Sequence, residues 1–209
     1  MAKIVIIGGG PAGYEAALSG AQYGADITVI DSDGIGGACV LWDCVPSKTF
    51  IASTGIRTEV RRAADLGVEI TADQASVSLP QVHQRVKDLA FAQSADIRSR
   101  LISEGVKIVS GTAQLGDVQP GIGAHEVIAT LADGSTETFE GDVVLIATGA
   151  SPRILPTAVP DGERILNWRQ LYDLTELPEH LVIVGSGVTG AEFAHAYTEL
   201  GVKVTLVSS

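Results

Sequence analysis

Two cysteines, Cys39 and Cys44, lie in the stretch GGACVLWDCVPSK, which runs from residue 36 to residue 48. Two thiols at short spacing can form a redox-active disulfide, whereas two thiols without nearby histidines make a poor zinc site. In a regular helix, Cα atoms five residues apart are about 8 to 9 Å apart, too far for a disulfide. A bridge therefore needs a distorted turn after Gly36 and Gly37. Two ordinary thiols on a regular helix are the alternative.

The elements around this stretch follow an α/β pattern. KIVII predicts a buried strand, GGGPAG a tight turn, YEAALSGAQYG a helix and ADITVID a second strand. The same βαβ pattern returns near the C-terminus, where residues 180–208 match residues 3–31 without a gap. Gly8, Gly10 and Gly13 fall on Gly185, Gly187 and Gly190. A repeat of this length predicts two similar nucleotide-binding domains in series.

The residues between the two copies predict further elements. Residues 46–66 are expected to be helical. Residues 79–103 form a second amphipathic helix, whose apolar stripe is Leu79, Val82, Val86, Leu89 and Ala90. VKIVSG and VVLIATG predict buried strands, and residues 113–147 alternate in a β pattern with a hairpin turn at Asp133-Gly134. The proline-rich residues 150–162 are interpreted as an interdomain crossover, so we expect domains at 1–150 and 151–209.

Each glycine turn has the G-x-G-x-x-G spacing between a strand and a helix. The first glycine makes the turn, the second lets a pyrophosphate approach, and the third allows close packing of helix and strand. The helix N-terminus adds N–H donors and a favourable dipole. An ordinary glycine-rich turn is the alternative. Asp31 ends the strand after the first turn and would bind the ribose hydroxyls. Ser208 occupies the equivalent position in the second copy. Because a serine does not repel a 2′-phosphate as an acid does, it favours NADP(H) at that site.

The charge balance excludes some partners. The chain carries 14 basic and 25 acidic residues, a net charge of -11. Because an acidic protein repels phosphate backbones, nucleic acid is an unexpected partner. No apolar run has the length of a membrane span, and the N-terminus does not read as a secretory signal, so we expect a cytoplasmic protein.

The order of motifs resembles the FAD-dependent pyridine nucleotide–disulfide oxidoreductases, such as lipoamide dehydrogenase and glutathione reductase. The motifs are the first glycine turn, the acidic strand end, GG-x-C-x4-C-x-P-S-K, A-T-G, and a second glycine turn running into G-x-E-F-A. The resemblance implies a Rossmann-like FAD-binding domain with a β-meander, followed by the start of a Rossmann-like NAD(P)-binding domain. It also implies hydride transfer from NAD(P)H to FAD and then to a quinone-like or disulfide acceptor such as lipoamide.

The resemblance also implies roles for individual residues. Cys39 would exchange with the substrate, and Cys44 would face the flavin. Lys48 and Glu192 would pair beside the reactive flavin nitrogen, whereas a surface lysine and a helix-face glutamate are the alternative. The expected FAD-binding residues are Gly8, Gly10, Pro11, Ala12, Gly13, Asp31, Gly36, Gly37, Ala38, Cys39, Lys48, Gly111, Thr112, Ala113, Ala147, Thr148 and Gly149. The expected NAD(P)-binding residues are Gly185, Gly187, Val188, Thr189, Gly190, Glu192 and Ser208.

The chain departs from the family pattern between the cysteines. Leu41 replaces the usual Asn and Asp43 the usual Gly, and Trp42 adds bulk. Without that glycine the distorted turn is expected to be harder to form. Asp43 also places a negative charge beside Cys44, which disfavours the thiolate, whereas the helix N-terminus favours it, and the two effects oppose each other. These changes favour an actinobacterial branch that resembles lipoamide dehydrogenase but reduces quinones.

Length is the second departure. The family has a long C-terminal part with a dimerisation domain and a catalytic His–Glu pair, and the full-length form is expected to be a homodimer. The chain is therefore interpreted as an N-terminal portion, and its four histidines as ordinary surface or partly buried residues. A truncated, non-catalytic nucleotide-binding fragment is the alternative function.

Overall fold

The computed structural model describes residues 1–70, 76–117 and 124–208. The chain divides into two compact units. The first unit comprises Met1–Leu41 and Phe91–Ser151, and the second comprises Trp42–Ala90 and Pro152–Ser209. The residues from 42 to 90 thus pack with the C-terminal part of the chain. The division into nucleotide-binding domains at residue 150 stays a prediction.

A six-stranded sheet forms the centre of the first unit. Its strands are β1 (Lys3–Ile7), β2 (Asp26–Asp31), β3 (Lys107–Leu115), β4 (His125–Leu131), β5 (Thr136–Gly141) and β6 (Val143–Ile146). Their order is β5-β4-β3-β2-β1-β6. The pairs β3–β2, β2–β1 and β1–β6 are parallel, and β3–β4 and β4–β5 are antiparallel. The predicted Rossmann-like α/β sheet with its β-meander is confirmed, and the Asp133-Gly134 turn joins β4 to β5.

Both faces of this sheet are covered. Helix α1 (Pro11–Gln22), helix α2 (Gly37–Leu41) and the end of helix α4 (Leu79–Ser103) belong to this unit. One face packs Ile6 and Val29 against Ala17 and Leu101, and the other buries residues such as Val127. Burial on both sides explains why the parallel strands read as continuous apolar runs.

Strand β6 differs from its prediction as a buried strand. Val143 is 50% exposed and Ile146 is 61% exposed. In the part of the chain that the structure describes, β6 is the edge of the sheet and pairs only with β1. An edge strand is open on one side, which its apolar sequence does not reveal.

The second unit holds the second copy of the repeat. Strand β7 (His180–Val184), helix α5 (Val188–Glu199) and strand β8 (Lys203–Val207) match β1, α1 and β2, and β7 pairs with β8 in parallel. Helix α3 (Cys44–Arg62), a short 3₁₀ helix at Gln170–Asp173 and the start of α4 complete the unit. Its core is aromatic, with Phe50 in ring contact with Tyr172, Phe193 and Tyr197.

Helix α4 has the predicted bounds, but its buried face is rotated from the predicted stripe. Leu79, Val86 and Ala90 are buried, whereas Leu89 is 42% exposed. His83 lies on the buried face and is only 3% exposed. The expectation that the histidines are on the surface or partly buried is therefore wrong for His83. The aromatic rings of Phe50 and Tyr172 lie against His83 at centroid distances of 5.5 and 5.9 Å and fix that face.

No helix among the described residues is both long enough and apolar enough to cross a membrane.

Candidate functional site

The first glycine turn joins β1 to α1. Gly8 has a φ of +109°, and a Cβ there would lie 2.2 Å from the Ala147 carbonyl oxygen. A Cβ on Gly13 would lie 1.9 Å from the Gly8 carbonyl oxygen. The fold itself therefore requires both glycines. Gly10 is different, because its φ is -72° and the nearest atom to an added Cβ is 3.9 Å away. That atom is the Gly37 Cα at ordinary van der Waals distance, so no steric overlap requires a glycine at position 10.

Asp31 braces the first turn from the end of β2. Its Oδ2 accepts a hydrogen bond from the Gly9 N–H at 2.6 Å. Its Oδ1 accepts from the N–H groups of Asp33 and Gly34 at 2.8 and 2.6 Å. A carboxylate has about four acceptor positions, so these three bonds leave about one for a ligand hydroxyl. Asp31 thus has a structural role that its position in the sequence did not reveal.

The segment that leads to the first cysteine also meets this turn. The Gly36 N–H donates to the Gly9 carbonyl oxygen at 2.8 Å. Gly37 has a φ of +56°, and a Cβ there would lie 2.7 Å from the Gly10 Cα. Ala38 and Cys39 follow in α2. The glycines therefore let the start of α2 approach the turn at backbone distance.

The A-T-G segment and the β3 segment lie at the same edge of the sheet as the turn. The Ala147 N–H donates to the Ile7 carbonyl oxygen at 2.8 Å, and Thr148 and Gly149 follow directly. Ser110 of β3 is the register partner of Asp31, and Gly111, Thr112 and Ala113 continue beyond it. The carboxyl edge of a parallel sheet is where ligands bind in this class of fold.

The second glycine turn repeats the first in its positive φ at the first glycine and its close approach at the third. Gly185 has a φ of +113°, and a Cβ on Gly190 would lie 1.9 Å from the Gly185 carbonyl oxygen. A Cβ on Gly187 would meet nothing within 4 Å. A cavity of about 670 Å³ adjoins the turn, and Val188 and Thr189 line it. Its other wall comes from residues 152–168, of which the sequence predicts only those up to 162, as a crossover.

The ends of the two second strands differ. In the first copy the Asp31 carboxylate binds the Gly9 N–H. In the second copy Ser208 Oγ lies 2.6 Å from Ser186 Oγ. Ser186 and Ser208 are the repeat partners of Gly9 and Asp31. The contact between strand end and turn is therefore kept, but a pair of neutral hydroxyls replaces the carboxylate.

The two cysteines do not share a regular helix. Helix α2 ends at Leu41 and α3 begins at Cys44. Asp43 between them has φ -121° and ψ -90°, a conformation that needs no glycine. The break lies at Trp42-Asp43 rather than directly after Gly37, and the expectation that a disulfide-compatible turn is harder to form without a glycine stays a prediction. Cys39 is half-buried and Cys44 is exposed.

Lys48 and Glu192 form the predicted ion pair. The Lys48 side chain is 57% exposed and the Glu192 side chain 18%. The hydrogen bond to Glu192 raises the pKa of Lys48. Burial pushes the pKa of Glu192 upward, but hydrogen bonding outweighs it and holds that pKa below its usual value. Both groups are therefore charged at neutral pH. Glu192 Oε2 is buried and has no hydrogen-bond partner among the described residues.

Two contacts of the second unit were not predicted from the sequence. Thr189 Oγ1 donates to Asp43 Oδ1 at 3.4 Å. The Arg169 guanidinium lies over the Trp42 ring at 5.1 Å and near the Trp168 ring at 5.9 Å. Trp42 and Asp43 stood out in the sequence only as departures from the family pattern. Their partners are more than 100 residues away along the chain, so no local signal identified them.

The chain has extensive similarity to known proteins. A family model of pyridine nucleotide-disulphide oxidoreductases matches residues 2–209. NAD(P)H dehydrogenase (quinone) from Mycobacterium tuberculosis is 66% identical over 210 residues, which cover 99% of this chain and 43% of that protein. Dihydrolipoyl dehydrogenase from Chlorobaculum parvum is 33% identical over 204 residues, which cover 98% of this chain and 42% of that protein.

Solved structures agree with the sequence relatives. The crystal structure of LpdA from Mycobacterium tuberculosis matches with a TM-score of 0.92 and 64% identity, covering 99% of this chain and 44% of that one. The chain thus spans less than half the length of these relatives. The family model matches nearly every residue, and the chain belongs to the pyridine nucleotide-disulphide oxidoreductase family.

Proposed function

We propose that this chain is the N-terminal portion of an FAD-dependent oxidoreductase that takes electrons from NAD(P)H and passes them to a quinone-like or disulfide acceptor. The observation that carries the proposal is the ion pair between Lys48 and Glu192. It joins the helix that follows Cys44 to the helix that follows the second glycine turn. The ion pair thereby connects the helix that carries Cys44 to the helix of the second glycine turn, which supports the proposal.

The residues of the first turn fit the pyrophosphate of FAD. Gly10 carries no side chain at the start of α1, and the α1 N-terminus offers the N–H groups of Ala12 and Gly13, while Pro11 has none to satisfy. Asp31 has about one free acceptor position for a ribose hydroxyl. When bound, FAD supplies the two-electron redox chemistry, and the chain binds and orients it.

The second turn fits the pyrophosphate of NAD(P)H in the same way. Space is open over Gly187, and the α5 N-terminus offers N–H donors to the adjoining cavity. The Ser186–Ser208 hydroxyl pair carries no negative charge that would repel a 2′-phosphate. We therefore propose that the site accepts NADPH, and that NADH is the weaker ligand.

Lys48 would place a positive charge beside the flavin nitrogen that the family resemblance indicates. A cation there stabilises the negative charge of a reduced flavin. Glu192 keeps the ammonium group charged and oriented, since its hydrogen bond raises the pKa of Lys48. The unpartnered Glu192 Oε2 provides a further acceptor at the same place. We propose that Cys39 and Cys44 act as the redox pair when the acceptor is a disulfide, in a cytoplasmic enzyme that is a homodimer in its full-length form.

Flavin absorbance and Cys44→Ser test this function. The purified chain is expected to show a visible flavin band and to oxidise NADPH with a benzoquinone as acceptor. Cys44→Ser should abolish lipoamide reduction and leave quinone reduction within about twofold, if electrons reach the quinone without passing through thiols. Loss of both activities would show that quinone reduction also needs the cysteines.

The alternative is a non-catalytic nucleotide-binding fragment, and the observation in its favour is that the chain spans less than half the length of its relatives. Absence of the flavin band from chain supplied with excess FAD, together with retained NADPH binding, would establish this alternative and reject the flavoenzyme.

A further inference from the structure

We propose that Trp42 and Asp43 are positioning residues for the nicotinamide nucleotide, because they brace the wall of the cavity beside the second glycine turn. The inference rests on the proposed function, since it assumes that this cavity binds NAD(P)H. It concerns the two residues between the cysteines that depart from the family pattern in bulk and charge. Their contacts in the second unit give them a role that neither a redox nor a plain packing explanation covers.

Asp43 reaches the nucleotide turn directly. It occupies the N-cap position of α3, where an aspartate normally accepts a hydrogen bond from the first turn of its own helix. Its side chain makes no such bond. Oδ1 instead accepts a hydrogen bond from Thr189 Oγ1 at 3.4 Å. Thr189 lies in the first turn of α5 and lines the cavity. Asp43 therefore does not cap its own helix, and its side chain instead restrains Thr189 of the proposed nucleotide site.

The negative charge of Asp43 also acts on Tyr172. The Tyr172 side chain is buried in the aromatic core, and its hydroxyl has no hydrogen-bond partner among the described residues. Burial raises the pKa of this phenol above its usual value, and the negative charge of Asp43 raises it further.

Trp42 braces the opposite wall of the cavity. The Arg169 guanidinium lies 5.1 Å from the Trp42 ring centroid and 5.9 Å from that of Trp168. Trp168 lines the cavity. A guanidinium over an aromatic ring is held by the ring quadrupole, and more strongly where water is excluded. Trp42 thus holds Arg169 in place beside Trp168.

The chain provides its own binding signal for the test. Trp42 and Trp168 are its only two tryptophans; Trp168 lines the cavity, and Trp42 contacts Arg169 beside it. A reduced nicotinamide bound in the cavity should quench their fluorescence, and titration calorimetry with NADPH gives an independent dissociation constant. The variants are Asp43→Ala, Asp43→Asn, Thr189→Val, Thr189→Ser and the double variant Asp43→Ala/Thr189→Val.

Asp43→Ala and Asp43→Asn have the same charge but differ in the hydrogen-bond acceptor. We expect Asp43→Ala to bind NADPH about three- to tenfold more weakly than Asp43→Asn, the usual effect of one hydrogen bond. Thr189→Val should show a similar loss relative to Thr189→Ser. Because both changes break one interaction, the double variant should bind no more weakly than either single variant.

Three results would overturn the inference. One is equal NADPH affinity for Asp43→Ala and Asp43→Asn. Another is additive losses in the double variant. The third is a lower melting temperature for Asp43→Ala with unchanged affinity, which would assign Asp43 a purely structural role. If Asp43→Ala does not fold, the Thr189→Val and Thr189→Ser comparison decides. Failure of the unsubstituted chain to bind NADPH would instead reject the proposed function.

Discussion

Alanine should have different effects at the second and third glycines of the second turn. It should lower the stability of the chain at Gly190 and weaken nucleotide binding at Gly187. An alanine Cβ at position 190 would lie 1.9 Å from the Gly185 carbonyl oxygen, and a backbone atom cannot move aside cheaply. We expect Gly190→Ala to destabilise the chain by about 3 kcal/mol, the upper part of the usual range for overpacking. In a chain of this size, that lowers the melting temperature by about 6–12 °C.

Gly187→Ala should leave stability unchanged and impair binding. The φ of Gly187 is -66°, which alanine adopts freely, and an added Cβ meets nothing within 4 Å. Loss of a glycine N-cap costs about 0.5–1 kcal/mol, and the reduced entropy of the unfolded chain returns about 0.4–1 kcal/mol. The added methyl group occupies the space over the helix N-terminus. We expect NADPH binding to weaken about 30-fold, which corresponds to about 2 kcal/mol.

Urea unfolding and calorimetric titration with NADPH measure the two effects separately. Gly55→Ala is the matched control, because Gly55 lies within α3 and its added Cβ also meets nothing within 4 Å. It should stabilise the chain by about 0.5–1 kcal/mol and leave NADPH affinity unchanged. Wild-type affinity in Gly187→Ala, or equal destabilisation by Gly187→Ala and Gly190→Ala, would refute the assignment of the open space to the nucleotide.

Two further predictions concern stability. His83 Nδ1 bonds to the Leu174 carbonyl oxygen at 3.0 Å, and burial chiefly lowers its pKa from 6.5 to about 4. The unfolded chain therefore binds the extra proton first, and stability should fall by up to about 3 kcal/mol as pH drops from about 6.5 to 4. In urea titrations His83→Asn should flatten this pH dependence, and exposed His195→Gln should not; an unchanged slope in His83→Asn would contradict the argument. Arg57 donates to the Leu200 carbonyl oxygen at the end of α5. Arg57→Ala should cost about 1–2 kcal/mol of unfolding free energy. Exposed Arg62→Ala should cost less than about 0.5 kcal/mol, and equal losses would argue against capping.

The features that the sequence predicted well are those with local causes. The two glycine turns require a positive φ at the first glycine and close backbone approach at the third, and both constraints act within six residues. The same local pattern therefore produces the same geometry in both copies. The Lys48–Glu192 pair is a long-range contact, and the family resemblance, not spacing, predicted it.

The features that the sequence did not predict depend on distant partners. The helical period of α4 places both Leu89 and His83 near its apolar stripe. The aromatic rings of the second unit pack against His83, which is buried, whereas Leu89 is exposed. The exposure of β6 depends on its place in the strand order, which a strand's own residues do not encode. In the sequence, Asp43 stood out only as a departure from the family motif. Its contact with Thr189 was not predicted because that partner is 146 residues away.

The two copies of the repeat separate what the fold needs from what the ligand needs. The first and third glycines are confined by backbone atoms in the first copy, and the third is confined in the same way in the second. The middle glycines, Gly10 and Gly187, are not confined in either copy. Close approach of a bound pyrophosphate, as proposed, would account for glycine at both positions. The strand ends diverge, with a carboxylate in one copy and a hydroxyl pair in the other. Under the proposed function, one backbone frame would serve two nucleotides, and the side chain at the end of its second strand would distinguish them.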